Sequence, residues 1–122
     1  MHDIPSNFDL SFCVGSHLEQ VAVGKYDLQL CFESGARISL QCNVFLLQKG
    51  EPLAEWNEET GWSSVAFQEL LNQRVESGRV VAGRVLELQF PNHLVLQLHA
   101  NSEQLESMQI RLPDPASPLI VI

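Results

Sequence analysis

Four histidines and three cysteines are the residues of this 122-residue sequence whose types suit chemistry near neutral pH. Acid–base catalysis or metal binding would require two or more of them to converge with carboxylates or thiolates. The histidines are His2, His17, His93 and His99, and no HxH, HExxH or HxxxH spacing joins them. His2 is terminal, His17 precedes a predicted strand with Glu19 nearby, His93 falls at a predicted hairpin tip, and His99 shares a polar strand face with Gln97 and Val95. Taken singly, each reads as a surface histidine. The cysteines, Cys13, Cys31 and Cys42, are odd in number and lack CxxC spacing, which points to reduced thiols rather than a disulfide framework or a zinc ribbon. Cys31 is predicted opposite Arg37, whose charge would favour a thiolate. No GxSxG elbow, Ser-x-x-Lys, GxxxxGK[ST] or strand-borne GxGxxG occurs. The adjacent carboxylates Glu58 and Glu59 point apart and read as solvated. The expectation is therefore no catalytic residue, no metal and no cofactor.

A second kind of chemistry, recognition, has one local motive. Glu51, Glu55, Glu58 and Glu59 fall within nine residues around Trp56, in a segment from Gln48 to Trp62 that is rich in turn formers and acids. Read as a surface connection, it joins long-range steering of a basic partner to an aromatic anchor. Trp62, close to a predicted helix, reads as folding back over it. Trp56 suits either covering the sheet or anchoring a partner.

The elements that must position these residues come from a chain long enough for one domain, 1–122, with a core of its own. Hydrophobic residues make up 45% of the sequence and mean hydropathy is close to zero, as in globular proteins. No apolar run approaches the ~20 residues of a spanning helix. MHDIPSNFDL has neither a basic n-region nor an apolar h-region, which makes the cytoplasm the expected location. Seven Lys and Arg against fifteen Asp and Glu give a formal charge of −8, which repels phosphate backbones and argues against nucleic acid as a partner.

Two halves carry one pattern, predicted as internal repeats at about 15–43 and 72–101. Leu28 to Phe32, then Glu33-Ser34-Gly35, then Ala36 to Leu40 align at an offset of 58 with Leu86 to Phe90, Pro91-Asn92-His93 and Leu94 to Leu98. Alternation at period two gives each segment one buried and one wet face. A three-residue loop puts Phe32 across from Ala36, Leu30 from Ile38 and Leu28 from Leu40, with Phe90, Leu88 and Leu86 likewise across from Leu94, Leu96 and Leu98. Any one-residue slip would split the apolar face. Such loops need a left-handed last residue, which Gly35 supplies and His93 tolerates. Upstream, Leu18 to Val23 and Val75 to Val80 each add a strand. Ser63-Ser64 is the expected N-cap of a helix from Val65 to Asn72 that stacks Ala66 on Leu70 and Phe67 on Leu71. Phe8 to Val14 reads as an extra strand or an extended arm. The apolar tail Leu119-Ile120-Val121-Ile122 must be covered, either within the sheet or by a second subunit as a homodimer.

The repeat unit, the leucine-rich segment before the second half and Leu105-Glu106-Ser107-Met108-Gln109-Ile110 together resemble an uncharacterised bacterial family of small acidic two-repeat β-rich domains of unknown function. Members carry Tyr-Glu-Ser-Trp or similar where Leu105 to Met108 stand here. The resemblance covers residues 10 to 122 and implies an architecture, with no reaction and no cofactor.

The reading reached from sequence is an α+β, β-dominant fold: two strand-plus-hairpin units in antiparallel sheets, arranged as a sandwich or roll, with one short helix between them. The function expected is non-catalytic binding, immunity-like or inhibitor-like towards a basic protein partner through Glu51, Glu55, Trp56, Glu58 and Glu59. The alternative is a small-ligand binder or enzyme whose groups meet only in three dimensions, with His17, Cys31 and His99 as the residues to check.

Overall fold

The computed structural model describes residues 4, 7–57, 59, 61–62, 65–100 and 108–122, with backbone alone at 61, 62 and 65. It is β-dominant and builds two antiparallel sheets around one core. Strands β1 (Leu18–Val23), β2 (Leu28–Phe32) and β3 (Arg37–Leu40) are joined in the first sheet by β10 (Met108–Arg111) and β11 (Ile120–Val121). The second sheet holds β7 (Ser77–Val81), β8 (Val85–Gln89) and β9 (Leu94–His99), extended by β4 (Asn43–Gln48), β5 (Glu51–Asn57) and β6 (Gly61–Trp62). Each sheet is thus three sequential strands plus strands supplied by the other half of the chain. Gln41 and Cys42 carry the chain from β3 in the first sheet to β4 in the second.

Both hairpins form in the register that parity demands. Leu30 faces Ile38, and Leu28 faces Leu40. Phe32 donates its N–H to the Ala36 carbonyl at 3.0 Å, and Phe90 donates to the Leu94 carbonyl at 2.8 Å. Leu88 faces Leu96, and Leu86 faces Leu98. Gly35 has φ of +97°, and Asn92 and His93 are both left-handed at 63° and 62°. The alternating leucines are buried: Leu28, Leu30, Ile38 and Leu40 from one sheet join Leu86, Leu88, Leu96 and Leu98 from the other in one cluster. That is the physical reason for the register, since a slip would expose all of them.

Two expectations are corrected and one open alternative is resolved. The segment from Gln48 to Trp62 is no surface loop: most of it is strand, with β5 bonded between β4 and β6. Its period-two pattern was masked by Pro52 and by acids on the outward positions. The segment at Val65–Leu70 is a 3₁₀ helix, not an α-helix. Phe67 and Leu70, three residues apart, are both fully buried while Leu71 is exposed, which suits the three-residue period of the tighter helix. Its expected cap, Ser63-Ser64, lies outside the described residues. Of the two readings of Phe8 to Val14 the strand does not form: Ser11 to Val14 turn, and Leu10, Phe12 and Cys13 pack into the core from this arm.

This arm is pinned at several points. Ser34 Oγ donates to the Phe12 carbonyl at 2.9 Å, the Ser34 N–H donates to Ser16 Oγ at 3.0 Å, and the Gly15 N–H donates to the Val75 carbonyl at 2.8 Å. At the other end Ile122 exchanges two backbone hydrogen bonds with Met108, at 2.9 and 3.1 Å, and is itself buried. The tail is therefore covered in part: Ile122 is buried and Ile120 half-buried on the sheet, while Leu119 and Val121 stay exposed.

Candidate functional site

Across the outer face of the second sheet, one register row runs Arg79, Glu87, Gln97, Phe45, Glu55 over five strands. Alternation dictates it, because the flanking residues of each strand point into the core. Glu87 is the informative member: a carboxylate only 7% exposed. Burial of a charge is tolerable when both oxygens are bonded. Arg79 Nη2 donates to Glu87 Oε1 at 3.1 Å, and Gln97 Nε2 donates to Oε2 at 3.3 Å. Gln97 Oε1 in turn lies 3.2 Å from His99 Nε2. An amide oxygen only accepts, so that ring nitrogen carries the hydrogen. Burial lowers the His99 pKa, which favours the neutral ring. Phe45 meets it edge to face, with centroids 4.8 Å apart.

Beside this chain lies a hollow of about 570 Å³, open to solvent along one side. Phe45, Leu47, Pro52 and Leu53 form its apolar wall, and Glu55, Gln97 and His99 supply polar groups. A bulge shapes it. Leu46 faces Ala54 but Leu47 faces Pro52, so Leu53 is the extra residue on β5. Pro52 has no N–H to give to the ladder, which places the irregularity here rather than elsewhere on the strand.

Of the five residues expected to bind, the structure brings one to this hollow, Glu55. Glu51 is exposed at the start of β5, opposite Gln48. Glu59 is exposed, and its N–H donates to Asn57 Oδ1 at 3.0 Å. Glu58 lies outside the described residues. Trp56 requires a correction: it is fully buried in the core and presents no surface to a partner. On a strand, neighbours point to opposite faces, so Glu55 and Trp56 cannot share a patch once β5 is paired. The Trp56 indole nitrogen has no hydrogen-bond partner among the described residues. The Trp62 side chain lies outside the described residues.

The residues of the alternative reading are kept apart. His17 forms a backbone bridge with Arg74, and its Nδ1 is 3.8 Å from Glu33 Oε2, longer than a hydrogen bond. Cys31 lies on the outer face of the first sheet, opposite Arg37, and His99 on the outer face of the second. Cys13 and Cys42 are buried free thiols, each with its pKa pushed up to about 12 by desolvation. Phe45, Leu47, Leu53 and Glu87 went unnoticed as site residues in sequence. The signal was present, since apolar residues recur at outward positions of β4, but both parities there are apolar and only pairing separates them. Comparison of the chain with protein-family models, curated proteins and solved structures finds no match.

Proposed function

We propose that this chain is a non-catalytic binding protein that uses the hollow on the outer face of the second sheet, and that its partner is a basic protein. The observation that carries the reading is an apolar wall of Phe45, Leu47, Pro52 and Leu53 with the Glu55 carboxylate among its lining groups. Such a surface suits an apolar side chain flanked by a Lys or Arg. Glu51 and Glu59 extend the acidic character along β5 and beyond it, and the formal charge of −8 would steer a cationic protein from a distance. The role is immunity-like or inhibitor-like when the partner is an enzyme that the contact masks. A hollow of this volume falls within the range of small-ligand pockets, which supports a ligand-binding alternative. Its open side favours the protein partner, because a small ligand there would remain largely in water.

The test is affinity capture from the source cell with the intact chain, followed by binding kinetics on the captured protein. The partner should be basic, and its association should slow at higher salt. Glu55→Gln should flatten that salt dependence, while Phe45→Ala should speed dissociation about tenfold. Wild-type rates for both variants would overturn the reading, as would a small molecule that saturates the hollow and is displaced by no protein.

A further inference from the structure

The outer face of the first sheet carries a charge arrangement that its own fold does not explain. Its register row runs Gln20, Cys31, Arg37, Arg111, so two arginines stand directly opposite each other on adjacent antiparallel strands. Both are exposed, each beside a buried neighbour in its strand. Directly opposed residues have Cβ atoms about 4.5–5.5 Å apart, and like charges so placed destabilise the sheet. Neither arginine forms an ion pair with a described residue.

The contrast with the second sheet is instructive. There Arg79 also lies on an outer face, but a carboxylate, Glu87, stands opposite it at 3.1 Å. The chain has fifteen acids for seven cations, so acidic residues are not scarce. The acids nearest in sequence are turned to other work. Glu33 faces His17, and Asp114 Oδ1 accepts the Ala116 N–H at 2.9 Å. The next outward row, Ala22, Gln29, Ser39, Gln109 and Val121, is uncharged and includes hydrogen-bond donors, and the exposed acid of β1, Glu19, sits at that strand's bulge, two strands away from Arg37.

We propose that Arg37 and Arg111 form a binding site for a phosphate group, with the phosphate supplying the negative charge that the sheet omits. Two guanidinium forks side by side match the charge and the several acceptor oxygens of a phosphate dianion better than a single carboxylate does. Ser39 and Gln109, opposite each other in the next outward row of the same two strands, border the pair and carry neutral donor groups. This site is separate from the hollow of the second sheet and does not depend on it.

The test follows the arginine Nε–H resonances of the intact chain during titration with inorganic phosphate, with phenyl phosphate as an ester probe and acetate at equal ionic strength as a control. Arg37 and Arg111 should shift together and saturate with either phosphate but not with acetate. A stronger response to phenyl phosphate identifies a phosphate ester as the ligand, and a stronger response to inorganic phosphate identifies the free anion. Arg111→Gln should weaken phosphate binding about tenfold. In phosphate-free buffer it should melt at or above the wild-type temperature, because it removes a repulsion. Phosphate should raise the Tm of the wild type and, at the same concentration, raise that of Arg111→Gln much less. Shifts that never saturate, that acetate reproduces, or that spread equally to Arg79 would overturn the proposal. So would a variant that is destabilised yet responds to phosphate as the wild type does.

Discussion

At the scale of single residues, burial sorts the reactive groups. Cys13 and Cys42 are surrounded by the core, and loss of the thiol proton there is opposed by desolvation. Their folded pKa of about 12 lies above the ordinary thiol value of 9.0. A raised pKa contributes stability that is complete below the unfolded value and is lost as pH climbs from about 9 to 12. Urea midpoints should therefore fall across that window, and a Cys13→Ala, Cys42→Ala double variant should show a shallower fall. Half-buried Cys31 is the thiol that should react first with a colorimetric disulfide reagent at pH 8, with all three titrating only in denaturant. Equal native rates for the three would contradict this ordering. Trp56 illustrates the same principle from the other side: its size and composition suited a recognition anchor, and only its position on a paired strand turned it inward.

Elements decide what each stretch of chain can present. The last strand, β11, is two residues long, yet it closes one edge of the first sheet with Ile120 opposite Ile110 and Ile122 bonded twice to Met108. Burying one isoleucine is worth about 1.5–3 kcal/mol, and each hydrogen bond adds about 1 kcal/mol. Removing Leu119 to Ile122 should cost about 3.5–5 kcal/mol by urea unfolding, and it should promote association by baring β10. An unchanged midpoint and oligomeric state would show that the tail contributes nothing. The 3₁₀ helix makes a related point. Six residues cannot gain much from α-helical hydrogen bonds, so the burial of Phe67 and Leu70 sets the geometry.

In the whole molecule, long-range packing ties the arm to the second sheet. A methyl at Gly78 would stand 2.7 Å from Leu10 Cδ1 and 3.2 Å from Leu88 Cδ2, both atoms of core residues. Gly78→Ala should therefore destabilise by about 1–3 kcal/mol, as overpacking does. Leu10→Ala removes the closer obstacle, so the double variant should lose less than the sum of the two single losses in a double-mutant cycle. Strict additivity would mean that arm and sheet do not press on one another. The same scale separates two surfaces of different character. One sheet offers an apolar hollow with a carboxylate in its wall, and the other a pair of opposed arginines.

What could be read directly from the chain was local. Alternation placed Leu28, Leu30, Ile38 and Leu40 on one face, as it did Leu86, Leu88, Leu96 and Leu98. Loop length and Gly35 then settled both hairpins, because register in a half-buried pair follows from neighbours close in sequence. Partners distant in sequence were a different matter. That β4 would pair with β9 and β10 with β3 depends on how two sheets share one core, and no local pattern encodes it. Those pairings set Phe45 beside Gln97, which joins β4 and β5 to the row of Arg79, Glu87 and Gln97, and set Arg37 against Arg111. Both candidate sites consist of residues brought together across strands, so their chemistry came into view only when tertiary packing chose the strand order.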